Sequence, residues 1–483
     1  MQTTIISTMS MMKSLILTAL CFVLNANGFS IKKTSSNESI ISIPYLIIGG
    51  GIHGTHIAAC LVGQRNINFN NICIIDNNDE LLQSWKERTE ATGMHFLRSS
   101  AGFHLDLDDE SLRKQYNNNK VEKKGKNNRR QHQSNMLFAK DYERPRLDIF
   151  NEHCNQVIEK YGLQNMHKQG LATKIIPTEQ HIQVNVKIPS ENDSNEEITY
   201  FAEKVILALG NDEPAFPEWI DMDDVQSGHI THLLDNHERM CEQSSISNSE
   251  SVAVIGGGIS AAHKVLQLSN RRGHDSSSIH LISRHSLREQ QFDTNQDYMM
   301  TSSAAKRSIS NGGYGLPTRQ REFMATESFI ERREIIKRER ISGTITPELY
   351  RGNNGLKYAI EDGKVIWNQA QIVKYTKRNE DGDRCYLDLE LSNGDLITVN
   401  KILLATGFKK GILPGGSLIY NLIDEVKLEV CTNGCGFPLV DENLNWFENR
   451  IFVTGALSEL EIGPSARNIA GARLAAERIV SAL

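Results

Sequence analysis

After residue 28 the sequence contains no apolar run long enough to cross a bilayer as a helix, which excludes a helical membrane span in that stretch. It also lacks an excess of either charge. The 53 Lys and Arg against 59 Asp and Glu leave −6 over 483 residues, too small an imbalance for a nucleic-acid partner. A small anionic ligand is untouched by that argument, since it needs only local positive potential. Cysteine is scarce and unpatterned: Cys21 falls near the start, Cys60 and Cys73 in apolar stretches, and Cys154, Cys241 and Cys385 are scattered. Only Cys431-Thr-Asn-Gly-Cys435 forms a close pair. It has three residues between the thiols where a dithiol redox motif has two, so it reads as structural. No disulfide framework, metal-ligand set or acid/base dyad stands out. What remains, 39% hydrophobic and 23% charged, is an ordinary globular chain with room for two or three domains.

The first 28 residues differ from the rest. Ser14-Leu-Ile-Leu-Thr-Ala-Leu-Cys-Phe-Val-Leu24 follows Lys13, and Ala26-Asn-Gly28 places small residues where a signal peptidase cuts. The expected outcome is a cleaved signal peptide with Phe29 as the first mature residue. The leader is similar to the bipartite plastid-targeting leaders of algae with complex plastids, which implies an endomembrane-lumen or plastid location. The alternative is a start at Met9, Met11 or Met12 and a cytoplasmic protein. Asn37-Glu-Ser39 and Asn192-Asp-Ser194 match the glycosylation pattern, relevant only along the secretory route.

What the sequence does contain is a nucleotide-binding device, twice. Tyr45-Leu-Ile-Ile-Gly-Gly-Gly-Ile-His-Gly54 reads as a buried parallel strand, a glycine turn and a helix start. Gly49 permits the tight turn, Gly51 lets a pyrophosphate approach the backbone, and Gly54 lets the helix pack on the strand. Asn71-Ile-Cys-Ile-Ile-Asp76 is the matching second strand, and Asp76 stands where a carboxylate binds ribose hydroxyls. The device recurs in Ser251-Val-Ala-Val-Ile-Gly-Gly-Gly-Ile-Ser-Ala-Ala262, with Gly256, Gly258 and Ala261 at the three critical places. Its second strand, Ser278-Ile-His-Leu-Ile-Ser-Arg284, ends in a cation instead of an acid. Arg284 there suits a 2′-phosphate, so the second nucleotide is expected to be NADPH; the plain alternative is a solvated arginine at a strand end.

Between these devices the chain is readable in outline. Phe150, Cys154, Val157, Ile158 and Tyr161 are spaced for a helix, and His181–Ile188 alternates as half of a hairpin. Residues 116 to 133 carry almost nothing apolar and predict a disordered surface insertion. Arg321 to Arg340 predicts a solvated, charged helix. Lys204-Val-Ile-Leu-Ala-Leu-Gly210 and Lys401-Ile-Leu-Leu-Ala-Thr-Gly-Phe408 are apolar strands that both end in glycine, and Arg450–Gly455 is another such strand. Gly463 and Pro464 predict the start of a last helix, Gly as N-cap and Pro at the first helical position. Its apolar face is expected to be Ile469, Ala472, Ala476, Ile479 and Val480.

Two dinucleotide loops, each followed by a strand ending Ala-x-Gly, resemble the two-dinucleotide-domain flavoproteins. Within these the chain most resembles the flavin-dependent N-monooxygenases of ornithine and lysine and their FAD/NAD(P)-binding relatives. The motifs that carry the resemblance include Trp85–Met94, Phe96-Leu-Arg-Ser99, Arg146–Phe150, Arg284–Arg288, Ala405–Phe408 and Gly463–Arg473. The resemblance implies an α/β fold with two Rossmann-like three-layer domains. The flavin domain would be discontinuous, at 44–245 and 400–483, around an NADPH domain at 246–399. It implies FAD on the first loop and NADPH on the second, with Trp85, Thr406, Gly407, Gly455 and Gly463 also on the cofactors. Two departures are visible: Gly228-His-Ile-Thr-His232 keeps the Gly-x-x-x-His of broader flavin monooxygenases but is flanked by Gln226 and Asn236. The Gly-Asp that meets the flavin ribitol in many relatives is Gly455-Ala here.

The implied reaction needs little acid/base work from the protein, because the cofactors carry the redox chemistry. By resemblance, a flavin hydroperoxide passes one oxygen atom of dioxygen to a small nucleophilic substrate, an amine. Met94 and Arg98 lie on the segment that the resemblance places near the isoalloxazine; the plain reading is a core Met and a surface Arg. A flavin reductase or disulfide oxidoreductase is the alternative enzyme, and a flavin-binding redox sensor the alternative outside catalysis.

Overall fold

A computed structural model of the chain describes residues 30–33, 39–115, 138–139, 141–189, 196–210, 213–235, 246–247, 249–272, 278–311, 313, 315–380, 384–432 and 435–483. The expected leader, the polar insertion at 116–133, both glycosylation patterns as complete motifs, Asn236 and Cys241 lie outside the described residues.

Short apolar runs flanked by glycine make parallel strands here because both of their faces are covered. The first strands are β1 (Ser30–Lys33) and β2 (Ser39–Ile48), followed by helix α1 (Ile52–Arg65) and β3 (Ile72–Asp76). Helices α2 (Gln83–Ala91) and α3 (Leu147–Lys160) lead to β4 (His167–Gln169), the hairpin of β5 (Leu171–Pro177) and β6 (Ile182–Ile188), and β7 (Glu196–Leu207).

A second set begins with β8 (Ile230–His232) and β9 (Val252–Ile255), then α4 (Ile259–Arg272) and β10 (Ile279–Ser283). Helices α5 (Thr318–Ala325) and α6 (Phe329–Glu339) precede β11 (Ile366–Gln369). The meander β12 (Ile372–Glu380), β13 (Arg384–Leu391) and β14 (Leu396–Val399) runs into β15 (Lys401–Leu404). The chain closes with β16 (Asn445–Phe447), β17 (Ile451–Val453) and α7 (Ile469–Ala482).

These strands form two main sheets. The first runs β16-β17-β7-β2-β3-β4, with β1 on β2 and the β5–β6 hairpin on β7; the second runs β8-β15-β9-β10-β11. From β17 to β4 every pair in the first is parallel, and every pair in the second is parallel. The alternation along β2 shows why the sheet is buried on both sides. Ile47 packs under α1 and α7 with Ile57, Leu61 and Ile479, whereas Leu46 and Ile48 face the β5–β6 hairpin with Ile182 and Val184. In the second sheet Val252 and Val254 meet α4, while Ala253 meets the meander through Leu387 and Leu389. Each sheet therefore carries helices on one face and antiparallel strands on the other, an α/β arrangement as expected.

Three local readings change. Strands β8 and β15, read on the flavin side of the boundaries at 245 and 400, belong to the second sheet. The charged stretch from Arg321 to Arg340 is two helices, α5 and α6, broken at Thr326–Ser328, and it is not simply solvated. Arg332 is buried and pairs with Glu461 at 2.5 Å, an acid more than a hundred residues away that no local pattern could announce. The last helix begins at Ile469, with Asn468 as its N-cap accepting a hydrogen bond from the Gly471 N–H at 2.9 Å. Gly463 has φ +93° and ψ −160°, outside any helical conformation, so the Gly-Pro pair ends the preceding turn instead of opening α7.

Candidate active site

The two glycine turns stand at the carboxyl ends of β2 and β9, each central in its sheet. In the first, Gly49 adopts φ +111°, and a Cβ there would lie 2.3 Å from the Ala208 carbonyl oxygen. A Cβ on Gly54 would lie 1.9 Å from the Gly49 carbonyl oxygen, so α1 packs directly on the turn. Gly51 is different: nothing lies within 4 Å of where its Cβ would be. The protein's own packing needs the outer two glycines, while the middle one leaves open space at the start of α1, a helix N-terminus whose backbone N–H groups can receive an anion.

Other residues close around this cradle. The Gly50 N–H donates to Asp76 Oδ2 at 2.5 Å, and Asp76 Oδ1 accepts from the Asn78 N–H at 2.9 Å and Asn78 Nδ2 at 2.6 Å. These bonds hold the half-buried carboxylate at the lip of the loop, where it can accept ribose hydroxyls. From the far end of the chain, Thr454 Oγ1 meets His53 Nδ1 at 2.7 Å, and the Cβ position of Gly455 is 3.9 Å from His53 Cε1. Burial lowers the His53 pKa to about 4, so the ring is neutral. Its Nε2 is buried without an aligned hydrogen-bond partner. Sequence reading missed His53 because it occupies a variable position of the glycine motif.

The second turn repeats the first with one change. Gly256 has φ +143°, and its Cβ would meet the Ala405 carbonyl oxygen at 2.5 Å. Ala208 and Ala405 thus do the same work, which explains why an Ala-x-Gly strand accompanies each loop. The Cβ position of Gly258, however, is 3.2 Å from Gly343 Cα, so a neighbouring segment lies over this turn. Ala261 is buried within α4. Arg284 follows β10, exposed and without an ion pair among the described residues. Beside it, Ser283 Oγ donates to the His285 carbonyl and accepts from Trp367 Nε1 at 3.0 Å.

The remaining expected site residues scatter. Thr406 donates to the Ala215 carbonyl at 2.5 Å and meets the buried His232 Nε2 at 3.0 Å, giving the Gly-x-x-x-His stretch a structural partner. Gly407, φ +77°, has open space at its Cβ position. Trp85 turns its indole N–H to Asn151 Oδ1 at 3.0 Å and packs on Phe150. Met94 packs half-buried against the helical side of the first sheet. Arg98 is no surface arginine: its Nε and Nη2 are committed to the segment Gln290–Phe292 and to Thr344. Gly463 sits tight against the Phe323 ring, where a Cβ would lie 3.0 Å from Cε1. A network not foreseen from sequence gathers Arg333 and Arg467 on the buried Glu459, with Arg340 at 4.0 Å.

Comparison with known proteins decides what this pair of turns belongs to. The sequence profile of the L-lysine 6-monooxygenase/L-ornithine 5-monooxygenase family matches residues 134–410, more than half of the chain. The chain belongs to this family. Membership makes it an FAD- and NADPH-dependent oxidoreductase of the monooxygenase kind.

Solved structures agree in fold. A cadaverine monooxygenase of desferrioxamine biosynthesis from Erwinia amylovora, solved with FAD, is 13% identical with TM-score 0.63, over 91% of this chain and 93% of that one. The ornithine hydroxylase of Pseudomonas aeruginosa is 14% identical with TM-score 0.63, over 91% and 98%. A bacillithiol disulfide reductase from Bacillus cereus shares the fold less closely, at 14% identity and TM-score 0.52 over 91% and 98%. No curated protein matches in sequence. Among the described residues, no helix is long and apolar enough to cross a membrane and no group of side chains could hold a metal ion.

Proposed function

We propose that the protein hydroxylates the nitrogen of a small aliphatic amine, with dioxygen as co-substrate and NADPH as reductant. The observation that carries this reading is the open space at Gly51 in an otherwise tightly packed turn, in a chain of the lysine/ornithine monooxygenase family. When bound, the flavin supplies hydride acceptance and oxygen activation. The chain's own residues bind and orient. Gly49, Gly51 and Gly54 with the start of α1 receive the FAD pyrophosphate, and Asp76 receives its ribose. Neutral His53 holds Thr454 and Gly455 against the turn. Gly256, Gly258 and Ala261 receive NADPH, and Arg284 offers a guanidinium to its 2′-phosphate.

Related structures act on primary amines: cadaverine, ornithine and lysine. The deciding experiment follows NADPH oxidation under dioxygen across these three and shorter diamines, with hydroxylamine detected as product. One of them should accelerate oxidation and appear hydroxylated. Oxidation that no amine accelerates, together with reduction of an added disulfide, would replace the oxygenase by the reductase.

The discontinuous flavin domain and the leader at 1–28 belong to the same proposal. Amino-terminal sequencing of the native protein tests the leader: a start at Phe29 supports entry to the endomembrane system or plastid, and a start at Met9, Met11 or Met12 supports the cytoplasm.

A further inference from the structure

We infer that Arg98 is a positioning residue that fixes the flavin unit against the nicotinamide unit. Its backbone is rooted on the flavin side. Leu97 is buried in the core below β2, the Leu97 N–H donates to the Pro145 carbonyl at 2.9 Å, and Phe96 bridges to Arg146. Its guanidinium ends on the other side. Nη2 donates to the carbonyls of Gln290 at 2.7 Å and Phe292 at 2.8 Å and to Thr344 Oγ1 at 2.9 Å, and Nε donates to the Gln291 carbonyl at 3.2 Å.

These acceptors belong to one small structure. Arg288–Glu289 and Thr344–Ile345 pair in parallel, and the Gln290 N–H donates to the Ile345 carbonyl at 2.9 Å. The neighbour of Thr344 is Gly343, the residue lying over Gly258 in the second nucleotide turn. A path therefore leads from the segment that carries Met94, through the Arg98 side chain, to the backbone that lies over the second nucleotide turn.

The choice of residue fits this role. All four acceptors are neutral oxygens: the Nε–H serves Gln291, and the two hydrogens of Nη2 are shared among Gln290, Phe292 and Thr344, a planar set of donors that arginine offers and the single ammonium of lysine does not. Other cations reinforce the seam. Arg144 donates to the Leu97 carbonyl at 3.2 Å and lies 2.8 Å from Glu348, off the hydrogen-bond direction. Lys264 of α4 reaches back to the Ala91 carbonyl at 3.0 Å. Hydride transfer requires two rings held in register by two separate sheets, so a shift of about 1 Å across this seam can lower the rate by as much as ~100-fold.

The test measures anaerobic flavin reduction by NADPH in the FAD-loaded protein, without amine, so it is independent of substrate identity. Arg98→Met should retain FAD and NADPH affinity while the limiting reduction rate falls about 10–100-fold. Arg98→Lys should recover part of that loss, and the long-wavelength absorbance of nicotinamide stacked on flavin should weaken in step with the rate. Thr344→Val, which keeps the shape and removes one acceptor, should show the same effect more mildly, and it decides the matter if Arg98→Met fails to fold. An unchanged limiting rate per bound flavin in these variants overturns the inference. So does a loss confined to NADPH affinity, which would make Arg98 a ligand of the nucleotide.

Discussion

At the scale of single residues, the two outer glycines and the middle one make opposite predictions. Gly54→Ala places a methyl 1.9 Å from the Gly49 carbonyl, so it should yield unstable or insoluble protein. The Cβ position of Gly51 has no protein atom within 4 Å, so Gly51→Val should fold with a melting temperature near that of flavin-free wild type yet purify colourless. A yellow Gly51→Val protein with normal flavin content would remove the pyrophosphate from this loop. Arg284→Ala should weaken NADPH by about 1.5–3 kcal/mol, roughly tenfold or more, and leave NADH nearly unchanged; equal effects on both coenzymes would refute the assignment. The glycines, Asp76 and Arg284 were legible in sequence because spacing along one strand-turn-helix unit places them. His53 and Glu459 were not, and neither were the contacts that Arg98 makes, since partners such as Thr454 for His53, Gln290 and Thr344 for Arg98, and Arg333 for Glu459 lie 401, 192 to 246, and 126 residues away.

Buried histidines add a pH dependence at this scale. His56 and His104 are lowered to about 3 and His153 to about 4, in each case first by burial. They sit among Arg473, Lys160 and Asp106, which ties the cluster to α7 and α3. Their folded pKa values are below the unfolded one of about 6.5, so the unfolded chain binds more protons between these limits. Their contribution is fully present above about pH 6.5 and is lost as pH falls towards 3 to 4. Each histidine should cost up to about 2 kcal/mol by about pH 5. Urea midpoints compared at about pH 7.5 and pH 5 will show it; a midpoint that does not move acidward would mean the cluster is already charged.

At the scale of elements, patterns with both partners inside one segment were readable and patterns completed from outside were not. The alternation in β6, the helix α3 and the apolar face of α7 stand as the periodicity implies, with Ile182, Val184 and Val186, Phe150, Cys154 and Val157, and Ile469, Ala472, Ala476, Ile479 and Val480 all buried. The start of α7 was misplaced by five residues, since a Gly-Pro pair is a good helix opening in isolation. Here Asn468 caps instead, as its side chain reaches the Gly471 N–H. Asn468→Ala should therefore lower stability by about 1 kcal/mol, measured by denaturant unfolding of the FAD-loaded protein. Pro464→Ala, outside the helix, should be nearly neutral, and a reversed order would restore the earlier helix start. The break between α5 and α6 was hidden in the same way: Arg332 and Arg333 look like solvent-facing charges until Glu461 and Glu459 arrive beneath them.

At the scale of the whole molecule, two nucleotide units and their connecting strands follow from the repeated motif, whereas the seam between them does not, being made of carbonyls and single cations that leave no pattern. The remaining question at this scale is where electrons leave the flavin. Cys435 lines a cavity of about 550 Å³ with Arg333, Lys337 and Thr432, and burial raises its thiol above the ordinary range, which disfavours the thiolate a dithiol reductase uses. The Cys431→Ser, Cys435→Ser double variant should keep NADPH-dependent flavin reduction and oxygen consumption. A variant that binds both nucleotides but no longer turns over would make the pair catalytic after all.

The parallel pairing of β17 with β7 also governs how the protein is born. Val205, Ile206 and Leu207 leave the ribosome well before their partners Ile451, Phe452 and Val453 are made. Until β17 is made, the first sheet keeps a bare edge beside β7, and the apolar side of α1 waits for α7. The second sheet, whose strands run from β8 to β15, can be completed first and is expected to be the earlier of the two to become protease-resistant on a stalled ribosome. FAD loading that depends on the completed first sheet is therefore expected only once β17 and α7 have been made, and the interval before that is when the nascent chain most needs a chaperone.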